Sequence, residues 1–314
     1  MSKSEANLSL FIITIFAGIQ YVFLSNIPSN VSSFAFLFIT NLIGFLIVLL
    51  FFFRELVRIE MKQVLQGLLL AILLLVFNLL LLFGSLAMDP STISFVLASY
   101  FIFIPFILVL LFKEKIPANI LAGAGIVLVG LILTTGIQFI SFTDKRIIFL
   151  LAASAVFALY IITVDRICSN SSPAILAMGQ LFFGFIISGI GWLIEIFISH
   201  SSISVPDDTG FWGSVLFVSF FIRGVYTVVQ TYAQRYVSAM NTSLIFSAEI
   251  IITLLASPFL VSLYGGVSEK ITVTKLSGCG IIMIGILIAG NVFGKGLKPL
   301  SFAALISERY HDKK

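Results

Sequence analysis

The chain has 314 residues, of which 60% are hydrophobic and only 10% are charged, and its net charge is +4. A soluble domain carries about 25% charged residues, so this chain could not cover itself with a polar surface in water. The composition therefore excludes a soluble globular protein and indicates a membrane protein with many spans and no large soluble domain.

Ten apolar stretches follow one another, each close to the roughly 20 residues that a membrane-spanning helix needs. The first is kept as a span, because it is longer than the apolar part of a secretory signal and no small-residue cleavage site follows it. The breaks between the stretches are rich in turn-forming or charged residues. The predicted spans are about 7–24, 34–53, 63–84, 91–111, 117–137, 146–164, 174–198, 211–233, 239–262 and 274–293.

The distribution of Lys and Arg sets the orientation. With the N-terminus inside, thirteen of the eighteen Lys and Arg residues lie on the cytoplasmic side, four lie outside, and Arg223 lies within a span. Positive charge accumulates in cytoplasmic loops. The count predicts a multi-pass protein of the cell membrane with both termini in the cytoplasm. The basic tail, residues 295–314, is expected to lie on the anionic cytoplasmic leaflet.

One motif occurs twice, in residues 113–136 and 268–290, with its matching positions 155 residues apart. The copies follow spans four and nine, so they lie on opposite sides of the membrane. The sequence therefore predicts an all-α integral membrane fold of ten helices, arranged as two inverted five-helix repeats, residues 1–140 and 141–294. Such a duplication is typical of transporters whose site lies between the halves. The matched residues are Glu114, Lys115, Ile116, Gly123, Gly125 and Gly130 in the first copy and Glu269, Lys270, Ile271, Gly278, Gly280 and Gly285 in the second.

The three glycines of each copy lie in the middle of spans five and ten. Small residues at such spacing let helices pack closely in lipid, so we expect them to pack within each half or to form a homodimer face. They do not form a phosphate-binding loop, because the pattern lies mid-span and no GxxxxGK[ST] sequence occurs.

Two charged residues, Arg223 and Glu249, lie within the predicted spans eight and nine. A charge at the bilayer centre costs about 2.5–3.5 kcal/mol on insertion scales, so it normally faces a cavity or a partner. Both residues lie about 15 Å from the cytoplasmic ends of their spans, at 1.5 Å per residue. They could therefore meet as an ion pair. Two interpretations remain open: a structural pair that fixes helix register, or a site for solute or proton.

The motifs of the two halves resemble one transporter family. The second half reads RYVSAMNTSLIFSAEIIITLLASPFL before SEKI, and the first reads SLAMDPSTISFVLASYFIFIPFILVLLF before KEKI. These segments resemble the EamA-like ten-helix branch of the drug/metabolite transporter superfamily. That family often has Glu-Pro in the middle of spans four and nine, where this chain has Tyr100-Phe101 and Glu249-Ile250. The resemblance implies a central cavity surrounded by spans one, three, six and eight. The candidate solute-binding residues are Gln20, Asn78, Tyr160, Arg223, Tyr226 and Glu249.

The predicted function is a secondary transporter that moves a small organic metabolite or drug-like solute, an amino-acid-like one among the candidates, by alternating access. Its expected partners are the solute, the lipid bilayer and either a coupling proton or a counter-substrate, and a homodimer is left open. Nothing in the sequence indicates a cofactor, a metal or nucleic acid. The alternatives are an integral-membrane enzyme or lipid-handling protein without transport activity, or a structural membrane partner. No GxSxG, HExxH or paired acidic motif within a span supports the enzyme.

The predicted orientation can be tested by labelling a single cysteine. We expect Lys270→Cys, in a background with Cys168 and Cys279 replaced, to react with membrane-impermeant maleimide added outside intact cells. If only reagents on the cytoplasmic side reacted with this cysteine, the predicted orientation and the inverted-repeat prediction would both be wrong.

Overall fold

The computed structural model describes residues 1–25, 27–28, 31–86, 88–113, 118–135, 144–199, 209–264 and 271–289. All regular elements in these ranges are helical. A helix satisfies its own backbone hydrogen bonds, which hydrocarbon cannot do, so long apolar segments fold in this way. The matched Glu-Lys pairs at 114–115 and 269–270 and the tail at 295–314 lie outside the described residues.

The helices follow the predicted spans closely. Within the described ranges, eight helical stretches are long and apolar enough to cross a membrane. Predicted spans five and ten correspond to the shorter apolar helices Leu121–Thr134 and Val273–Gly285. The first half contains α1 (Lys3–Ser25), α2 (Ser33–Phe52), a 3-10 helix (Phe53–Arg58), α3 (Met61–Ser85), α4 (Pro90–Leu97), α5 (Tyr100–Phe112) and α6 (Ala118–Thr135). The second half contains α7 (Lys145–Cys168), α8 (Pro173–Ser199), α9 (Thr209–Phe217), a π-helical segment (Val218–Tyr226), α10 (Thr227–Ala233), α11 (Ala239–Phe246), α12 (Glu249–Tyr264) and α13 (Val273–Ala289).

Spans four and nine, which the sequence predicts as continuous, are each interrupted near the middle. Two residues separate α4 from α5, and two separate α11 from α12. Near each break, serine hydroxyls donate to carbonyls of the preceding turn, as Ser94 does to Ser91 and Ser247 does to Leu244. Such local bonds compete with the regular helix ladder and bend it. The two breaks lie 149 positions apart, the same offset that relates Ser94 to Ser243.

Span eight is also irregular, because its middle forms the π-helical segment. The hydroxyl of Thr227 donates to the carbonyl of Ile222, five residues earlier, at 3.0 Å. Short π-helical turns inside helices are frequent at functional sites. This segment contains Arg223.

The closest packing joins residues of one predicted repeat to residues of the other. Helix α3 packs on α7 and α8, α2 on α8, α1 on α12, and α6 on α13. The two halves therefore share one core, and each covers surface that the other would otherwise leave exposed.

The glycines of spans five and ten correct one expectation. A Cβ at Gly130 would lie 2.9 Å from the Gly278 carbonyl oxygen, and one at Gly285 would lie 2.8 Å from that of Gly123. These glycines therefore form a contact between α6 and α13, which belong to different halves. They do not pack within one half or against a second copy of the chain.

The remaining glycine of each copy faces elsewhere. A Cβ at Gly125 or Gly280 would have no heavy atom within 4 Å. The reason is spacing, since residues seven apart return to the same helix face whereas residues two apart do not. The expectation of a homodimer face in this motif therefore depends on Gly125 and Gly280 alone.

We expect Gly130→Leu and Gly285→Leu to destabilise the fold, because each side chain would enter a space already filled by backbone. Overpacking of this kind costs about 1–3 kcal/mol, sometimes more. The measurement is the midpoint of thermal unfolding in detergent, together with the yield of monodisperse protein.

Gly125→Leu and Gly280→Leu are the matched controls, since the same substitution there meets open space. If all four variants unfolded at the same temperature, the close approach of α6 and α13 would not contribute to stability.

Candidate functional site

A cavity of about 40 Å³ lies between the helices of the bundle. Its walls come from α1, α3, α7, the π-helical segment, α10 and α12, so both halves contribute to it. A water molecule needs about 10–15 Å³ in this measure, so the cavity has room for roughly three. All six predicted site residues line it: Gln20, Asn78, Tyr160, Arg223, Tyr226 and Glu249.

Arg223 enters the cavity from the π-helical segment and is only 5% exposed. Its Nη2 donates to Asn78 Oδ1 at 3.0 Å, and the Asn78 amide in turn donates to the carbonyl of Leu74 at 2.5 Å. Within the described part of the chain, Arg223 Nε has no hydrogen-bond partner. The guanidinium is therefore held on one side by Asn78 and keeps a donor available on another.

Glu249 is the first residue of α12 and is 4% exposed. The hydroxyl of Tyr21 donates to Glu249 Oε2, and the hydroxyl of Tyr100 donates to Glu249 Oε1, both at 3.2 Å. One turn further along, the hydroxyl of Thr253 donates to the Gly18 carbonyl of α1 at 2.9 Å. These bonds fix the start of α12 against α1.

Arg223 and Glu249 do not form the ion pair that the sequence left open. Among the described residues, the two side chains line the same cavity without a salt bridge between them. A straight helix puts Arg223 and Glu249 at equal depth, but depth alone does not decide which way a side chain points. Arg223 points to α3 and Glu249 points to the tyrosines of α1 and α5. The cavity is therefore lined by an arginine and a glutamate that are not joined in an ion pair.

Two hydrogen-bonded pairs extend from the cavity wall. Tyr160 donates to Gln180 Oε1 at 3.1 Å, and the Gln230 amide donates to Gln234 Oε1 at 3.0 Å. In the described residues, Gln230 Oε1 has no partner although Gln230 is fully buried. The cavity therefore presents a free acceptor at Gln230 in addition to the free donor of Arg223. Asn41, a further amide within a span, does not reach the cavity and instead faces Gly184 of α8.

Aromatic rings form much of the cavity wall, and among them the sequence did not single out Phe77 and Phe157. Phe77 stacks on Phe157 with ring centroids 4.6 Å apart, and Phe157 lies 5.9 Å from the Tyr160 ring. With 33 phenylalanines in the chain, no pattern distinguishes these two from lipid-facing ones. Tyr100 did carry a signal, because it stands at the position equivalent to Glu249.

A second polar cluster ties α4 to α13 at one end of the bundle. Lys275 Nζ lies 2.7 Å from Asp89 Oδ2, and Thr92 also donates to this carboxylate. Burial by itself would raise the pKa of Asp89, but the hydrogen bonds from Lys275 and Thr92 and the charge of Lys275 outweigh it, so the pKa is lowered. The stabilisation is therefore present at neutral pH and is lost only in acid, as the pH falls through that lowered pKa.

Many transporters have their solute site between two related halves, and here residues of both halves line the polar cavity. The family comparison makes this class specific: the EamA-like transporter family matches residues 5–136 and again residues 144–290. The chain therefore belongs to the EamA-like transporter family, and the resemblance seen in the sequence is confirmed.

One solved structure, titled only "Crystal structure of protein", is similar over 93% of this chain and 100% of its own, with a TM-score of 0.65 and 15% identity. At that identity the likeness concerns the fold alone. No curated protein matches the sequence. Among the described residues, no group of three His, Cys, Asp or Glu side chains could hold a metal ion.

We expect Gly44→Ala to disturb the site, because a Cβ at Gly44 would overlap the Cβ of Arg223. The π-helical segment would have to move away from α2, at a cost of about 1–3 kcal/mol. Thermal unfolding in detergent measures the loss. Gly224→Ala is the control, since its Cβ would meet only ordinary contacts at 3.5 Å. Equal unfolding temperatures for the two variants would contradict the proposed contact.

Proposed function

We propose that this protein is a secondary transporter that carries a small organic solute through the central cavity by alternating access. The observation that carries the proposal is the partnerless Nε of the buried Arg223, facing a cavity to which both halves contribute. An arginine deep in a membrane normally faces a partner or a transported group. An anionic group on the solute would supply that partner.

The contacts between helix ends support ten spans with inverted repeats. On one face, Arg146 donates to the carbonyl of Leu86, and Lys275 pairs with Asp89. These residues lie in or beside the span ends that the sequence assigns to the outside. The contacts therefore bring together span ends that the predicted topology puts on one side of the membrane.

The opposite face behaves in the same way. Arg166 lies over the ring of Phe112 at 4.5 Å, and Arg235 donates to the carbonyl of Cys168 at 3.0 Å. These residues lie in or beside the span ends that the sequence assigns to the cytoplasm. We therefore propose a protein of the cell membrane with both termini inside and with repeats bounded near 1–140 and 141–294.

The small volume of the cavity supports a mechanism in which the protein changes shape. Space for roughly three waters is too small for an organic solute. Solute entry therefore requires the helices around the cavity to move apart. The breaks in spans four and nine and the π-helical segment of span eight are the irregular points at which such movement would occur.

The chemistry of the cavity favours a solute with an anionic group and a hydrogen-bond donor. Arg223 would hold the anion, while Asn78 keeps the guanidinium in place. Gln20, Gln230 and Tyr226 would contact the polar part, and the rings of Phe157 and Tyr160 would cover its body. An amino-acid-like solute meets these requirements, with its ammonium group directed toward Glu249.

We expect purified protein in liposomes to exchange a labelled solute from a panel of the twenty standard amino acids, short carboxylates and small amines. Arg223→Ala should weaken the apparent affinity about 10- to 100-fold, because a hydrogen bond to a charged group contributes about 1.5–3 kcal/mol. Tyr226→Phe should weaken it less, since it removes one neutral hydroxyl.

Arg223→Lys is the matched control, since it keeps the charge but loses the planar donors. The double variant Arg223→Ala with Glu249→Ala separates folding from binding: it is expected to fold without restoring flux. Full exchange by Arg223→Ala at unchanged affinity would contradict the solute site. Absence of exchange for the whole panel, with lipid movement or hydrolysis in its place, would favour the lipid-handling or enzymatic alternative.

A further inference from the structure

One carboxyl connects the three helices that meet at the breaks in spans four and nine. Glu249 is the first residue of α12, Tyr100 is the first residue of α5, and Tyr21 lies on α1. Each oxygen of Glu249 accepts one tyrosine hydroxyl at 3.2 Å, from Tyr21 at Oε2 and from Tyr100 at Oε1. A change in the protonation of this carboxyl would therefore alter contacts of α1, α5 and α12 together.

Tyr100 and Glu249 occupy equivalent positions in the two halves, 149 residues apart. Each follows a two-residue interruption of its span. A phenol in water ionises near pH 10, whereas a carboxyl ionises near pH 4.3. The carboxyl is therefore the stronger acid by about six orders of magnitude. Of the two equivalent positions, only the second therefore holds a group that readily exchanges a proton with water.

Among the described residues, no cation forms an ion pair with Glu249. The titratable groups that face it are the hydroxyls of Tyr21 and Tyr100, with Tyr226 and Arg223 on the same cavity. Within the described residues, no salt bridge joins Glu249 to Arg223. Helices α4 and α11 contain no titratable side chain. A proton is then the simplest group that could compensate a carboxylate buried in this place.

We propose that Glu249 is a proton-binding site and that its protonation couples proton flow to solute movement. The coupling, unlike the proton site itself, rests on the transport function proposed above. A proton passes from hydronium in the cavity to a carboxylate oxygen of Glu249, forming one O–H bond and leaving one water. The reverse step returns the proton to water on the other side of the membrane.

The two tyrosine bonds explain how the proton would act on the helices. An ionised carboxylate only accepts, so it can hold both hydroxyls together. A protonated carboxyl donates from one oxygen and is a weaker acceptor there, so the tyrosine bond at that oxygen is weakened or reversed. Protonation therefore alters one of the two hydrogen bonds that join α12 to α1 and α5. Since Arg223 and Glu249 share the cavity, binding of the solute and of the proton affect each other reciprocally.

The proton site can be tested without knowing the solute. The probe is the proton itself: a pH step applied to the purified protein in lipid, followed by infrared difference spectroscopy. We expect a carbonyl band of a buried carboxyl in the wild type that is lost in Glu249→Gln. Glu5→Gln is the matched control, since Glu5 is exposed near the N-terminus and its loss should leave the band unchanged. Tyr100→Phe should shift the band without removing it, because one hydroxyl no longer contacts the carboxyl.

A band identical in the wild type and in Glu249→Gln would overturn the proton site. The second measurement uses the panel solute that exchanges in liposomes. The wild type should accumulate the solute in response to a pH gradient, and whatever exchange remains in Glu249→Gln should no longer respond to that gradient. Retained gradient-driven accumulation would overturn the coupling, whereas absence of exchange in the wild type would reject the transport function and leave the infrared result to decide the proton site.

Discussion

Every buried polar group in this protein has to find its partner inside the bundle, because hydrocarbon offers none. Most hydroxyls within the spans solve this locally by donating to a carbonyl one turn earlier, as Thr14 does to Leu10 and Ser188 does to Gly184. Burying such hydroxyls costs little free energy, and their positions do not indicate a binding site. The groups that cannot be satisfied in this way, an arginine, a glutamate and several amides, gather around one cavity. The position of the site follows from this constraint.

The same constraint explains why the two halves are so closely joined. Lipid is as apolar as the helix surfaces, so helices associate through close packing and through the bonds that they can share. In this chain both kinds of contact cross between the halves. The glycine contact of α6 with α13 allows backbones to touch, and the bonds of Glu249 with Tyr21 and Tyr100 connect the centre. A cavity formed in this way exists only when both halves are in place.

Much of this arrangement could be predicted from the sequence. Length and hydropathy locate the helices, the duplicated glycines indicate two related halves, and a charge within an apolar run marks the cavity. The partners of each charge could not be predicted, because partner choice depends on the direction of the side chain around the helix axis. Arg223 lies on a π-helical segment, which changes that direction relative to a regular helix. In the sequence, Tyr21 does not differ from other aromatic residues of the spans, and only the structure shows that its hydroxyl lies beside Glu249.

The difference between Tyr100 and Glu249 has a consequence for the balance of a transport cycle. In a carrier built from two identical inverted halves, the inward- and outward-facing arrangements would be related by symmetry and equal in free energy. Here the equivalent positions at the two breaks hold a phenol and a carboxyl. This difference removes the equality of the two free energies at the centre of the molecule. A carrier with unequal end states rests mainly on one side, and solute offered from the two faces of the membrane meets it with different apparent affinities.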